Sequence, residues 1–595
     1  MSENKNVSTL TEEQIWYENT YKGNKMNEFT PKVLVVGMIL AAVMVAMNVY
    51  MGLKIGWGVG GSLIAVILSF AFMKVLIKIG IVAGYTTLEN NITQTMASAG
   101  GSIGCIVNIV PALSLMGVDM PWWKIFLWVF FTSFLGVFFA VPLRKQVVVH
   151  EKLKFPTGTA AATTIEAMHA EGSDGMKKAF VLIATGITGA IIKVFQDAFH
   201  KIPELIPATF FSVGKYRSDQ LTMGVSISPM LFGAGFLVGL RVTITMMAMS
   251  LVTWLVIAPW LVDSGIVETM GYRKIIHWTM WPGIALMVTS GLTATAMRWK
   301  VFVNAFKSMK SAKDGDDNAI TDFKHLEIPM TLWSVGLSIS SIGLIIIMKT
   351  VFNVPIVLAI LSIFIAFFLS IIAVRATGET DINPVSSLGN ITQIIFGAIH
   401  PGSTTTTLLT AGVTYSGASE AADMMQDLKT GYLVGATPKK QFYAQLIGLT
   451  IGAIAAVPVY LAITSKYGIA TKEMPALGAI TASGVAKLVS SGTKLPQYVD
   501  IALIIAIATG IVIPVVEKYK PNIARFLPSA MGLGLAMVLP AFYAVVMFAG
   551  ALTQWLLSLK WKEAMEKYSV AIASGGIAGE GITGAVIAVI QVFMK

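Results

Sequence analysis

Continuous apolar runs recur from one end of this chain to the other, at 33–51, 57–73, 125–143, 330–348, 355–374 and 441–462. Each is close to the ~20 residues a helix needs to cross ~30 Å of hydrocarbon. Inside a bilayer every backbone N–H and C=O must be bonded within the protein, so such runs fold as helices. The runs leave no stretch long enough for a separate soluble domain. Composition agrees: 55% of residues are hydrophobic, 13% are charged, and mean hydropathy is +0.73. Soluble domains carry roughly a quarter charged residues. The expected fold is an all-α polytopic membrane protein with about 14 to 16 membrane segments.

The formal net charge of +11 does not point to nucleic acid. The basic residues sit in short loops between apolar runs, as at Arg144-Lys145, Lys152, Lys154, Lys439-Lys440 and Lys518, the pattern of the positive-inside rule. The first 30 residues are polar and mixed in charge with no apolar h-region, so a cytoplasmic tail is expected there and a cleaved signal peptide is not. Cys105 is the single cysteine, which leaves no intramolecular disulfide and no cysteine cluster for a metal.

The chain repeats itself at about half its length. Asn91-Ile92-Thr93-Gln94 returns as Asn390-Ile391-Thr392-Gln393, 299 positions later. Met230, Gly233, Met246 and Trp254 align with Met531, Gly534, Met547 and Trp555 at an offset of 301. Other matches break that register: Lys177-Lys178 and Phe180 align with Lys439-Lys440 and Phe442 at 262, as smaller repeats or insertions would produce. The expected organisation is a tail at 1–30, a first membrane half at 31–302, a charged cytoplasmic linker at 303–327 and a second half at 328–595. An even number of spans per half places both termini and the linker on one side, and an odd number inverts one half. The segments 100–104, 157–169, 410–427 and 575–584 are rich in Gly, Ser, Thr and Ala. They read either as broken half-helices lining a pathway or as tightly packed continuous helices.

Charges within apolar segments cost at least ~2.5–3.5 kcal/mol on insertion scales and mark candidate sites. Glu580 lies deep in the last apolar segment and reads as a proton acceptor or as a structural carboxylate bonded to free N–H groups. Glu166 and His169 share a helical face, suited to proton relay, to approach a metal chelate, or to a plain surface pair. Glu89, Asn90, Asn91 and Gln94, with Asn390 and Gln393, offer donors and acceptors that match peptide-like groups. Thr157 and Thr159 open a second small polar stretch of the same kind. Arg241 divides the apolar run 227–262, as a partner for a substrate carboxylate or as a snorkelling interfacial cation. Glu379 and Asp381 form an acidic pair ahead of the second Asn-Ile-Thr-Gln. Glu420, Asp423 and Asp427, followed by Lys429, place three carboxylates on one helical face, read preferentially as a cytoplasmic gate or salt-bridge cluster. Intramembrane prenyltransferases hold Mg²⁺ with two such aspartate sites, whereas one is found here. No Walker segment for a primary pump occurs.

Four stretches resemble the oligopeptide transporter family, which includes the yellow stripe-like metal-chelate transporters. They are Leu88-Glu89-Asn90-Asn91-Ile92-Thr93-Gln94-Thr95, the run from Phe155-Pro156-Thr157-Gly158-Thr159-Ala160 to His169, Asp423-Met424-Met425-Gln426-Asp427-Leu428-Lys429-Thr430-Gly431-Tyr432-Leu433, and Gly579-Glu580-Gly581-Ile582. The third is the most specific, and the four follow the family's order. The resemblance implies around 16 helices and a proton-coupled importer of small peptides or peptide-like metal chelates, working by alternating access in the plasma or inner membrane. A Na⁺-coupled carrier or an exporter of chelates is the alternative, and a Mg²⁺-dependent transferase a distant one. The short tail, compact loops and partial Gly-Ile-Thr-Asp stretch around Thr380-Asp381-Ile382 point to a prokaryotic member. Expected partners are the substrate, protons, the lipid bilayer and, in a homodimer, a second copy. No enzyme activity, cofactor, resident metal or nucleic acid is expected.

Overall fold

The computed structural model describes residues 12–56, 58, 61–170, 173–209, 212–297, 325–490, 495–524 and 526–594. The charged core of the expected linker, including Lys313-Asp314-Gly315-Asp316-Asp317, lies outside these residues, as do the first eleven. The described chain is helical apart from two short antiparallel pairs, Leu205–Pro207 with Gly224–Ser226 and Ser212–Val213 with Tyr216–Arg217.

In chain order the first half comprises α1 (Glu12–Asn19), α2 (Pro31–Ile55), α3 (Gly61–Lys78), α4 (Thr87–Gly101), α5 (Cys105–Leu115), α6 (Trp122–Ala140), α7 (Pro156–His169), α8 (Ser173–Asp197), α9 (Pro229–Val238), α10 (Leu240–Val252), α11 (Ala258–Asp263) and α12 (Tyr272–Met297). The second comprises α13 (Met330–Thr350), α14 (Ile356–Thr380), α15 (Val385–Ile399), α16 (Thr404–Val434), α17 (Pro438–Tyr467), α18 (Leu477–Ser490), α19 (Val499–Tyr519), α20 (Pro521–Ala524), α21 (Ala530–Val538), α22 (Ala541–Lys560) and α23 (Lys562–Phe593). Among the described residues twelve helices are long and apolar enough to cross a membrane, counting α4 with α5 and α10 with α11 as single spans. α12 and α16 have the length but are less apolar. Short apolar helices accompany them at α9, α15 and α18.

Elements related by the half-length offset have like lengths. Both Asn-Ile-Thr-Gln segments lie in 15-residue helices, α4 and α15. At the offset of 301, the short α9 followed by the longer α10 corresponds to the short α21 followed by α22.

Two of the four small-residue stretches are not breaks. Residues 100–104 do interrupt the chain between α4 and α5, and 157–169 form the short α7. Residues 410–427 and 575–584, by contrast, lie inside the continuous helices α16 and α23. The reason is packing: a Cβ on Gly579 would fall on the carbonyl oxygen of Gly186 in α8, so small residues here bring two helix backbones together.

α17 sets the ends of the molecule. Its first residues adjoin Thr437, whose N–H and hydroxyl bond to Glu28 at 3.0 and 2.7 Å. Glu327, the last residue of the expected linker, pairs with Arg144 at this same end, and Leu326 O accepts from Lys439 N–H. At the far end of α17, Lys466 and Tyr467 bond to Asp197, and Gln591 near the end of α23 reaches the Asp197 carbonyl at 3.5 Å. The ends of the tail and linker therefore lie at one face and residue 591 at the other, the arrangement of an odd span count in one half. The tail is also docked rather than free. Trp16 stacks on Tyr432 with centroids 5.3 Å apart and donates to its carbonyl at 2.7 Å.

Candidate functional site

α4 begins with a capping box: the Thr86 hydroxyl accepts from Glu89 N–H, and the Glu89 carboxylate accepts from Thr86 N–H, both at 3.0 Å. The same carboxylate accepts from the Thr30 hydroxyl at 2.8 Å and pairs with Lys32 at 2.9 Å. Glu89 is thus occupied in holding the helix terminus. One turn further, every polar side chain faces protein. Asn90 Oδ1 accepts from Ser69 at 2.6 Å, and its amide lies 3.3 Å from the His169 ring. Asn91 donates to Gln94 at 3.4 Å, and Gln94 Nε2 donates to Asp427 Oδ1 at 2.5 Å.

α16 carries the other side of this layer. The residues Glu420, Asp423 and Asp427 recur at three and four positions, so they share a face. Glu420 and Asp427 are fully buried and Asp423 half-buried. Glu420 Oε2 accepts from Ser102 at 2.7 Å, in the break between α4 and α5. Asp427 Oδ1 also accepts from Ser62 at 2.8 Å, and Ser62 adjoins Ser98 at 3.1 Å. The second oxygen of each carboxyl, Glu420 Oε1 and Asp427 Oδ2, has no hydrogen-bond partner among the described residues, nor do Asn91 Oδ1 and Gln426 Oε1. Buried polar atoms are nearly always paired, so a run of unpaired acceptors is a feature to be explained.

The second Asn-Ile-Thr-Gln packs on the same helix. Thr392 and Thr414 of α16 lie 2.8 Å apart, Gln393 Nε2 donates to Ala482 O of α18 at 2.9 Å, and Asn390 Oδ1 and Gln393 Oε1 are unpaired. The two copies therefore both pack on α16, the first at Asp427 and the second at Thr414, about 20 Å apart along the helix.

Among the described residues, none of the other expected site residues bonds to the carboxyl group of Glu420 or Asp427. Arg241 is exposed at the start of α10, bonded to Glu517 and to the Leu527 carbonyl. Thr157 N–H and hydroxyl bond to Asp381 at 3.0 and 2.7 Å, and Thr159 bonds to the Lys154 carbonyl. Glu166 is exposed, while His169 is half-buried between Phe70 and Tyr85. Lys429 is buried with its ammonium 5.6 Å from the Tyr432 ring. Glu379 pairs with Arg375 at 3.0 Å.

Glu580 sits in a different network. Its Oε2 accepts from Met230 N–H at 2.9 Å and from the Ser228 hydroxyl at 2.8 Å, closing the start of α9, and its Oε1 pairs with Lys54 at 2.9 Å. Lys54 also pairs with Glu204 at 2.7 Å, and its charge holds the Glu204 carboxyl below the usual range. Lys193 pairs with Asp197 at 3.0 Å nearby, between the rings of Tyr50 and Tyr467. Sequence reasoning did not single out Lys54 and Lys193 as buried charges, although each follows a long apolar run within its helix. It also missed Ser62, Ser98 and Ser102, whose residue type gives no signal of a site. Among the described residues no three His, Cys, Asp or Glu side chains converge to hold a metal ion.

The family profile described as OPT oligopeptide transporter protein matches residues 28–591. The chain is 25% identical over 700 residues to a putative oligopeptide transporter of Saccharomyces cerevisiae, covering 94% of this chain and 95% of that one. It is 26% identical over 601 residues to a putative oligopeptide transporter of Haemophilus influenzae, covering 91% and 92%. The metal-nicotianamine transporter YSL3 of Arabidopsis thaliana is 25% identical over 600 residues, covering 92% and 88%.

Proposed function

The chain belongs to the OPT oligopeptide transporter family, and we propose that it is a secondary active transporter carrying small peptides or peptide-like metal chelates together with protons, by alternating access. The observation that carries this reading is the buried polar layer between α4 and α16, where Glu420 and Asp427 each keep one oxygen unpaired among the described residues. A carboxylate buried without a cation is costly, and a proton on the free oxygen removes the charge. Opening the layer to one side and then the other would load and release that proton. The amides of Asn91, Gln94, Asn390 and Gln393 supply both donors and acceptors, which suits peptide bonds and the amino-carboxylate groups of a chelate. Asp423 and Lys429 flank the layer as gate residues, with Glu166 and His169 beside its α4 end.

In this reading the halves 31–302 and 328–595 are duplicated units meeting at α16. The tail and linker face the cytoplasm, and the membrane is the plasma or inner membrane.

Purified protein in liposomes tests the proposal, with the outside made acidic and either trialanine or an iron–nicotianamine chelate supplied. Uptake of at least one probe should rise with the pH gradient and collapse with a protonophore. Uptake that ignores the proton gradient and follows Na⁺ would overturn the coupling ion, and no uptake of either probe would overturn the substrate class.

A further inference from the structure

At the face opposite the tail, a cavity of about 330 Å³ opens between α12 and α18, beside the loop after α17. Three cationic or protonatable side chains border it: Arg273 and His277 one turn apart on α12, and Lys487 on α18. Its floor is apolar, with Ile276, Met280 and Ile480. A second hollow of about 460 Å³ shares Arg273 and adds Lys274 and Lys472, opposed by Glu473. Arg273 and His277 make no ion pair among the described residues, and Lys274 is shared with Glu268 at 3.4 Å. Among the described residues no carboxylate borders the first cavity. Cations gathered in a concave, low-dielectric wall concentrate anions there.

The cavity is also tied to the second Asn-Ile-Thr-Gln. Ile480 and Ser483 face it from α18, and the same turn of α18 presents the Ala482 carbonyl that Gln393 binds at 2.9 Å. α18 is thus one helix thick between the cationic hollow and the second Asn-Ile-Thr-Gln.

We infer that this hollow is the docking site for the carboxylate end of the substrate, the first station before it reaches the layer at α16. The inference rests on the transport reading above and adds the place and chemistry of capture. Arg273 supplies a planar fork for a carboxylate, Lys487 a second cation, and the apolar floor receives an aliphatic side chain.

The test uses full-length protein in phosphatidylcholine liposomes, comparing trialanine with its C-terminal amide, and iron–nicotianamine as a multiply carboxylated probe. Arg273→Gln and Lys487→Gln should each raise the half-saturating concentration of trialanine and of the chelate about tenfold, the loss expected for one charge-assisted bond. The amide should be unaffected, and Arg273→Lys, which keeps the charge but not the fork, should lose less than Arg273→Gln. Thermal unfolding of the purified protein gives a readout independent of transport: trialanine should raise the wild-type midpoint, and about ten times more of it should be needed for the same rise in Arg273→Gln. Equal losses for the acid and the amide overturn the inference. So does an effect that appears only when acidic phosphatidylglycerol is added, which would assign the hollow to lipid headgroups. If wild type carries the probes and the variants match it, the docking site fails alone. If wild type neither binds nor carries any probe, the transport reading fails with it.

Discussion

Asp427 and Glu580 are both carboxylates buried among apolar helices, and their neighbours divide their roles. Glu580 has a cation, a hydroxyl and a backbone N–H on its two oxygens. Asp427 has two neutral donors on one oxygen and none on the other. The first is a paired anion, and under the proposed coupling the second is the site that takes the proton. Asp427→Asn should therefore abolish acceleration of uptake by an imposed pH gradient while leaving exchange of probe across the membrane. Gradient-driven uptake at the wild-type rate would remove Asp427 from the coupling path. Glu580→Gln should keep the wild-type pH profile of uptake and lose stability instead. Lys54→Met should be costlier, about 3–5 kcal/mol by chemical unfolding, because it strands Glu580 without its cation. Adding Glu580→Gln to Lys54→Met should recover part of that loss; no recovery would mean the pair is not the source of the cost. The linkage sign is that of a depressed carboxyl: the stability Glu204 gains from Lys54 is present above the ordinary glutamate pKa and disappears as pH falls through the lowered folded value. The sequence marks Glu580 as a buried charge, but Lys54 lies 526 positions away, and no local pattern links the two.

Among elements, the same Gly, Ser, Thr and Ala content serves two structures. At 100–104 it ends α4 and leaves Ser102 free to reach Glu420. At 575–584 it lets α23 lie against α8 at backbone contact. Composition is alike in both, so the choice between a break and a close contact depends on what packs opposite, which sequence does not supply. Gly579→Leu would drive a side chain into the Gly186 backbone and should destabilise by about 1–3 kcal/mol, read as a lowered midpoint in thermal unfolding. An unchanged midpoint would show that α8 and α23 are looser than this packing implies. The docked tail is a second case. Trp16 and Tyr432 are plain aromatic residues in sequence, yet their stacking fastens α1 to the end of α16, the helix that carries Glu420 and Asp427. The apolar runs, in contrast, were legible at once, because twenty consecutive apolar residues admit one solution in a bilayer.

At the scale of the whole molecule, the doubled Asn-Ile-Thr-Gln predicts two equivalent frameworks, and both copies do lie in 15-residue helices against α16. Their surroundings differ: the first meets a carboxylate through Gln94, the second a backbone carbonyl through Gln393. The buried carboxylates thus lie nearer the tail and the cationic hollow at the opposite face. That polarity is testable without any substrate. The only cysteine, Cys105, is fully buried, so the native chain offers little background to an impermeant maleimide. Lys22, whose N–H bonds to the Gly435 carbonyl beside the tail, and Lys472, in the hollow after α17, lie at opposite ends of α17. In sealed vesicles of one orientation, Lys22→Cys and Lys472→Cys should label from opposite sides, with Lys22→Cys reactive in inside-out vesicles. Labelling of both from one side would break the placement of α17 across the membrane, and with it the proposed separation between an anion-capturing face and a proton-binding layer.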